Sequence, residues 1–200
     1  WQQPGWEPLP APLDRKEAAM TEQQEGRLRA LCFSYGVEFN AEHYTPQFDL
    51  PSGWVAGWVG GEPGTLYVGV DPEGLCVIVI DFPTVLDAYL TCALWSSINY
   101  DETGEHGEFL DADYDIFDFT DKARAAAVKD LADFVLDNYA DFEGMNDVQI
   151  GHDFWLTRNH HGAGFWDRGL GERGDRLTKA AQAYGGVDLY VNADGKIGGD

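Results

Sequence analysis

The pattern of apolar positions changes period several times along the chain. Residues 22–35 place Leu28, Leu31 and Cys32 three and four apart, the spacing of one helix face. After PQFDLPSG come three short runs rich in β-branched and aromatic residues, GWVAGWV, TLYVGV and LCVIVI, separated by GGEPG and DPEG. Gly and Pro supply the backbone angles that tight turns require, so these runs predict an antiparallel meander. Pro83 then falls in the first turn of a helix, where its missing N–H costs nothing, and VLDAYLTCALW lays Leu86, Tyr89, Leu90, Ala93 and Leu94 along one stripe. Thr120 caps a further helix running to about residue 139, with Ala127, Leu131, Phe134, Val135 and Leu136 expected inside. HDFWLTR and GAGFWDR read as the two strands of a hairpin, followed by a helix over residues 172–184 and a last hairpin, DLYV and KI joined by NADG. The class predicted is α+β: a small antiparallel β-meander, then a C-terminal module of helices packed on β-hairpins. Residues 1–21 read as a flexible Pro-rich arm, 22–82 as helix plus meander, and 83–200 as the C-terminal module with an acidic middle.

With 44% apolar and 14% aromatic residues, a chain of 200 can bury a real core. The longest apolar run is LCVIVI, too short to cross a bilayer, so no membrane partner is expected. A start at Trp1 instead of Met suggests trimming or fusion, with Met20 available as a native start. Three cysteines, Cys32, Cys76 and Cys92, are odd in number and lack ligand spacing, which fits free, mostly buried thiols in a reducing cytosol.

Charge changes the picture more than composition does. The formal net charge is -22, and residues 30–121 hold 17 Asp and Glu but no Lys or Arg. Carboxylates without local cations repel one another, so their crowding needs a reason beyond the fold. Solubility or a high-salt habitat is one; imitation of a polyanion is the other. A compact chain of this size has a radius of gyration of about 16 Å and a diameter near 40 Å. Duplex DNA of that length carries roughly 25 phosphate charges, a comparable total. Direct binding of nucleic acid is therefore not expected, and the natural complement is a basic protein surface. The candidate face comprises Asp111, Asp113, Asp115 and Asp118 in the middle segment, with Asp130, Asp133, Asp137 and Asp141 along the helix after Thr120. Like charges at helical spacing are mutually unfavourable, so replacing those on the helix by Asn is expected to leave the fold as stable or slightly more so.

Residues 151–178 hold three of the five histidines together with two Phe-Trp pairs and a local concentration of Arg. A zinc site would draw on His152, Asp153, His160 and His161, but adjacent histidines on a turn diverge and no Cys pair supports them, so no metal and no cofactor are expected. If the block is catalytic, His161 or His152 would work as general base with Asp153 or Asp167, and Arg168 would steady an oxyanion; no nucleophile motif accompanies them. The alternative is that the aromatics fill a core while Arg158 and Arg168 pair with local acids. Two further matches are discounted. Residues 169–174 are literally G-x-G-x-x-G, explained more simply as a helix start with Gly spacers. Asp111, Asp113 and Asp115 imitate a calcium loop, but Ile116 and Lys122 stand where the pattern needs Gly and Glu.

From Leu86 onward, over about 115 residues, the chain resembles a group of uncharacterised phage and prophage proteins. They share an aromatic helix of the ALWSS type, an acidic middle, a block close to GHDFWLTRN-GAGFWDRGLG and a terminal LYV-DGKI. The resemblance implies a phage origin and a shared fold, with no activity to carry over. This chain departs from it at Asn159-His160-His161-Gly162, where His160 stands at a usual Gly; a turn with positive φ there would suit His poorly. Together the readings favour a phage accessory protein without catalysis, acting in the host cytoplasm on a basic host surface. Its class would be a nucleic-acid-mimicking anti-defence inhibitor of a restriction or CRISPR-type effector. The alternatives are a small enzyme or ligand-binding module using residues 151–168, and a structural virion component whose charge only keeps it soluble.

Overall fold

A computed structural model describes residues 20–34, 36–46, 54–59, 66–74, 76–100 and 107–199. Most of the expected Pro-rich arm lies outside these residues. The elements are α1 (Glu22–Ser34), β1 (Tyr44–Pro46), β2 (Val55–Val59), β3 (Leu66–Val70), β4 (Cys76–Asp81), α2 (Phe82–Ser96), β5 (Ile98–Tyr100), β6 (Gly107–Phe109), α3 (Asp121–Asn138), α4 (Asp147–Arg158), α5 (Glu172–Gln182), β7 (Leu189–Val191) and β8 (Ile197–Gly199), joined in places by single 3-10 turns. The fold is α+β.

Strands β1 to β4 form one antiparallel sheet in chain order, the expected meander with one additional edge strand at β1. Because side chains alternate across a strand, the sheet presents two apolar faces. Val55, Val59, Leu66, Val68 and Val70 pack with Leu28 and Cys32 of α1, while Ala56, Trp58, Tyr67 and Ile80 enter a second core with the C-terminal helices. Every residue of β2 and β3 is buried, which is why these strands read as nearly unbroken apolar runs. Trp58 meets Phe82 edge-on at 5.1 Å, and Tyr67 meets Tyr139 at 5.2 Å, so the inner face of the meander and the later helices share one core.

Helices α2 and α3 start where their caps predict. The Asp81 carboxylate accepts from Thr84 N–H at 3.4 Å, with Pro83 in the first turn, and the Thr120 hydroxyl accepts from Ala123 N–H at 3.2 Å. In α3, Ala127, Leu131, Phe134 and Val135 are buried as expected, but Leu136 is 39% exposed. It lies about 100° around the helix from Val135, beyond the edge of the buried stripe.

The hairpin expected over residues 151–168 is absent. HDFWLTR belongs to α4, capped by the Asn146 side chain accepting from Val148 N–H at 2.9 Å, and the second half is a loop with a 3-10 turn at Phe165–Asp167. Packing explains the misreading. From Asp153 to Arg158 the helix is buried on every side, so no polar face remains to mark a helical period. Gly151 sits at the crossing of α4 over α2, where a Cβ would lie 2.2 Å from the Val85 carbonyl oxygen. Phe154 in turn stacks on Phe134 at 4.1 Å. The last hairpin, β7–β8, is present and anchored to the start of α3, with Ile197 N–H donating to Asp118 O and Thr120 N–H to Ile197 O.

Candidate functional site

The cations of the 151–178 block are used inside the fold. Arg158, whose side chain is 3% exposed, leaves the last turn of α4 and donates from Nη1 to Asp130 Oδ2 at 3.0 Å and to the Tyr89 hydroxyl at 3.0 Å. Its Nε donates to Gly185 O at 2.8 Å and its Nη2 to Tyr184 O at 3.3 Å. The guanidinium also lies over the rings of Phe154 and Tyr184, at 5.4 and 5.9 Å. One buried cation thus ties together α2, α3, α4 and the loop after α5. Burial pushes the Tyr89 phenol up to about 12, against the opposing pull of Arg158. A cavity of about 270 Å³ opens beside this cluster, lined by Leu90, Phe119, Trp155 and Val187 among others. Asp130 and three backbone or phenol oxygens already occupy the arginine that would hold an anion there.

Arg168 makes the second such contact. Asp153 is fully buried and receives Arg168 Nη2 at 2.7 Å, Arg168 Nε at 3.0 Å and Gln149 Nε2 at 2.7 Å. Asp167 approaches Arg168 at 3.5 Å but mainly closes its own turn, accepting from Gly164 N–H at 3.2 Å. His152 is half-buried with its ring edge-on to Trp95 at 6.3 Å, and its pKa is lowered, burial outweighing the neighbouring Asp153. His161 follows α4 and lines a cleft with Ser96, Asn159 and Asp188, on the side of α4 that Trp155 and Asn159 face. Asp153 points about 120° or more away from those residues around the helix. The catalytic set therefore divides: Asp153, Arg168 and Asp167 form a local cluster, His152 stands beside it within electrostatic reach but unbonded to it, and His161 lies apart. Among the described residues no hydrogen bond links either imidazole to a carboxylate, and no group of three or more metal ligands is present. His160 does adopt φ of 55°, a left-handed turn that suits a residue with a side chain poorly.

The acidic face divides as well. Asp130 holds Arg158, Asp133 holds Lys129 at 2.6 Å, Asp141 holds Arg176 at 3.0 Å and Asp118 holds Lys196 at 2.7 Å. The α3 row is thus largely neutralised from within. Asp111, Asp113, Asp115 and Asp137 have no cation within ion-pair distance among the described residues, and all four are exposed. Three of them follow β6 directly, on the exposed turn that leads to α3.

Sequence reasoning missed the segment before them. β5 and β6 pair as Ile98 with Phe109, Asn99 with Glu108 and Tyr100 with Gly107, and every residue of both strands is exposed. The only available signal was a three-residue alternation, Ile98-Asn99-Tyr100, within a stretch dominated by acids. Of the cysteines, Cys32 and Cys92 are free and buried, and burial pushes the Cys92 thiol up to about 12. No described helix is long and apolar enough to cross a membrane. No protein-family model, curated protein or solved structure matches the chain.

Proposed function

We propose that this is a phage-encoded accessory protein without catalysis that acts in the host cytoplasm by binding a basic surface of a host protein. Its class is an anti-defence inhibitor whose acidic surface occupies the nucleic-acid channel of a restriction or CRISPR-type effector. One observation carries the reading: the cations beside the candidate carboxylates are consumed by internal pairs, whereas Asp111 and Asp113, and Asp115 beyond the turn its carboxylate closes on Phe117 N–H, remain exposed and without an ion pair within a 92-residue stretch, 30–121, that has no Lys or Arg. A fold gains little from carboxylates without ion pairs in a row, and a cationic partner gains more. The separation of His161 from the Asp153 and Arg168 cluster, and the absence of a hydrogen bond from His152 to it among the described residues, weigh against the enzyme alternative.

The test is expression of the chain in cells carrying a single defined restriction or CRISPR-type system, with phage plating as the readout. Plating restored by at least about tenfold against one such system, and lost again with Asp111, Asp113 and Asp115 changed to Asn, is the expected result. No restoration across a panel of such systems refutes the anti-defence role.

A further inference from the structure

Resting on that reading, we infer that the basic partner is received by the β5–β6 hairpin, whose apolar face seats an extended, arginine-bearing segment while nearby carboxylates take its cations. Side chains two apart on a strand share a face, as do directly opposed residues on paired strands, so Ile98, Tyr100 and Phe109 lie together. They are 37%, 60% and 52% exposed. Trp95, at the end of α2 three residues earlier, is also partly exposed. Single exposed apolar residues are ordinary, but three bulky ones on one face of a short hairpin, two of them aromatic, form the kind of patch that marks a contact surface.

Charge complementarity selects the occupant. Ile98 and Tyr100 also line the cleft of about 330 Å³ beside the hairpin, which continues to His161, Asp188 and Leu189 and has no Lys or Arg in its lining. Glu108 lies on the opposite face of β6, and Asp111 and Asp113 follow Phe109 by two and four residues. With His161 neutral, the formal charges of the cleft and of the turn after β6 are carboxylates, Asp188, Asp111 and Asp113, so the apolar centre fits a segment that alternates cationic and apolar side chains. Arginine fits better than lysine, because a guanidinium stacks on the Tyr100 ring and binds carboxylates bidentately. A second copy of this chain would bring the same carboxylates against each other, and a nucleic acid would bring phosphates.

The probe is a labelled synthetic peptide alternating Arg and Leu, with a matched peptide alternating Arg and Ser, followed by fluorescence anisotropy at about 100 mM salt. The protein is expected to bind the Arg-Leu peptide at least about tenfold more tightly than the Arg-Ser peptide. Changing Tyr100 and Phe109 together to Ser should abolish that difference; both side chains are exposed, and circular dichroism checks that the fold is kept. The triple Asn variant at Asp111, Asp113 and Asp115 should weaken both peptides and flatten the salt dependence. An Arg-Leu affinity unchanged in the Tyr100 and Phe109 variant overturns this assignment while leaving a basic partner in place. Failure of the protein to bind either peptide overturns the basic-partner reading and this inference with it. Self-association that the hairpin variant abolishes, without peptide binding, makes the hairpin an interface between copies and overturns the assignment.

Discussion

Asp130→Asn should destabilise the protein, contrary to what the regular spacing of acids on α3 predicts. Spacing alone places Asp130 in a self-repelling row, where removal of a charge would be neutral or helpful. The structure gives it a different role, because its carboxylate neutralises Arg158, whose side chain is 3% exposed. Breaking a buried pair from one side typically costs about 3–5 kcal/mol, since the remaining charge stays desolvated. Asp130 itself is 30% exposed, and Arg158 keeps Tyr89, Tyr184 and Gly185 as acceptors, so the lower end applies, about 3 kcal/mol. For a chain of this length that lowers Tm by roughly 6–12 °C. Asp133→Asn is the internal control: its partner Lys129 is exposed, so solvent screens the pair and its loss should move the midpoint little. The assay is urea denaturation followed by far-ultraviolet circular dichroism at pH 7, read as midpoint and slope for both variants. Equal midpoints for Asp130→Asn and Asp133→Asn would refute the claim that Arg158 depends on its carboxylate.

Other outcomes follow from the same geometry. Phe134→Ala removes a fully buried ring stacked at 4.1 Å on Phe154 and should cost about 3–5 kcal/mol, whereas Leu136→Ala, on the exposed side of α3, should cost under about 1 kcal/mol; chemical denaturation of both variants checks the contrast. His160→Gly relieves a left-handed residue at φ of 55° and should raise stability by up to about 1 kcal/mol, measured as a higher Tm. His152 titrates below its ordinary value of 6.5 in the folded state because burial disfavours the cation, so the unfolded chain binds its proton first. Its contribution to stability is complete above about pH 6.5 and is lost as pH falls from there towards the lowered folded value. His152→Gln should therefore flatten the decline in stability between about pH 6.5 and 5, seen in denaturation midpoints taken across that range.

Much of the fold is legible in the residues, and the reasons are local. The meander is announced by turn residues between β-rich runs, and α2 and α3 by Pro83, Thr120 and clear apolar stripes. The β7–β8 hairpin is announced by its Asn-Ala-Asp-Gly turn, in which Asn192 Oδ1 accepts from Lys196 N–H at 2.9 Å. α4 was not legible, because burial on every side from Asp153 to Arg158 erases the polar face by which a helix is recognised, and its two adjacent aromatics are residues that favour strands. The pairing of Asp130 with Arg158 was hidden for another reason: it joins residues 28 apart on different helices, and charge spacing within one helix says nothing about what packs against it. Half of the candidate acidic face, Asp118, Asp130, Asp133 and Asp141, therefore carries internal ion pairs that spacing along the chain does not show. The exposed carboxylates after β6 were readable from the absence of nearby cations, but the aromatic face beside them was not, since burial decides whether Tyr100 and Phe109 are core or surface.

The central claim is that the acidic surface competes with nucleic acid for a basic host protein. The most direct measurement is retention of host proteins on the immobilised chain at about 50 mM salt, challenged with excess duplex DNA and repeated with the triple Asn variant at Asp111, Asp113 and Asp115. The account predicts that nucleic-acid-binding proteins are retained, that DNA and raised salt release them, and that the variant retains less. Retention indifferent to DNA, to salt and to the three substitutions, or no retention at all, would contradict it.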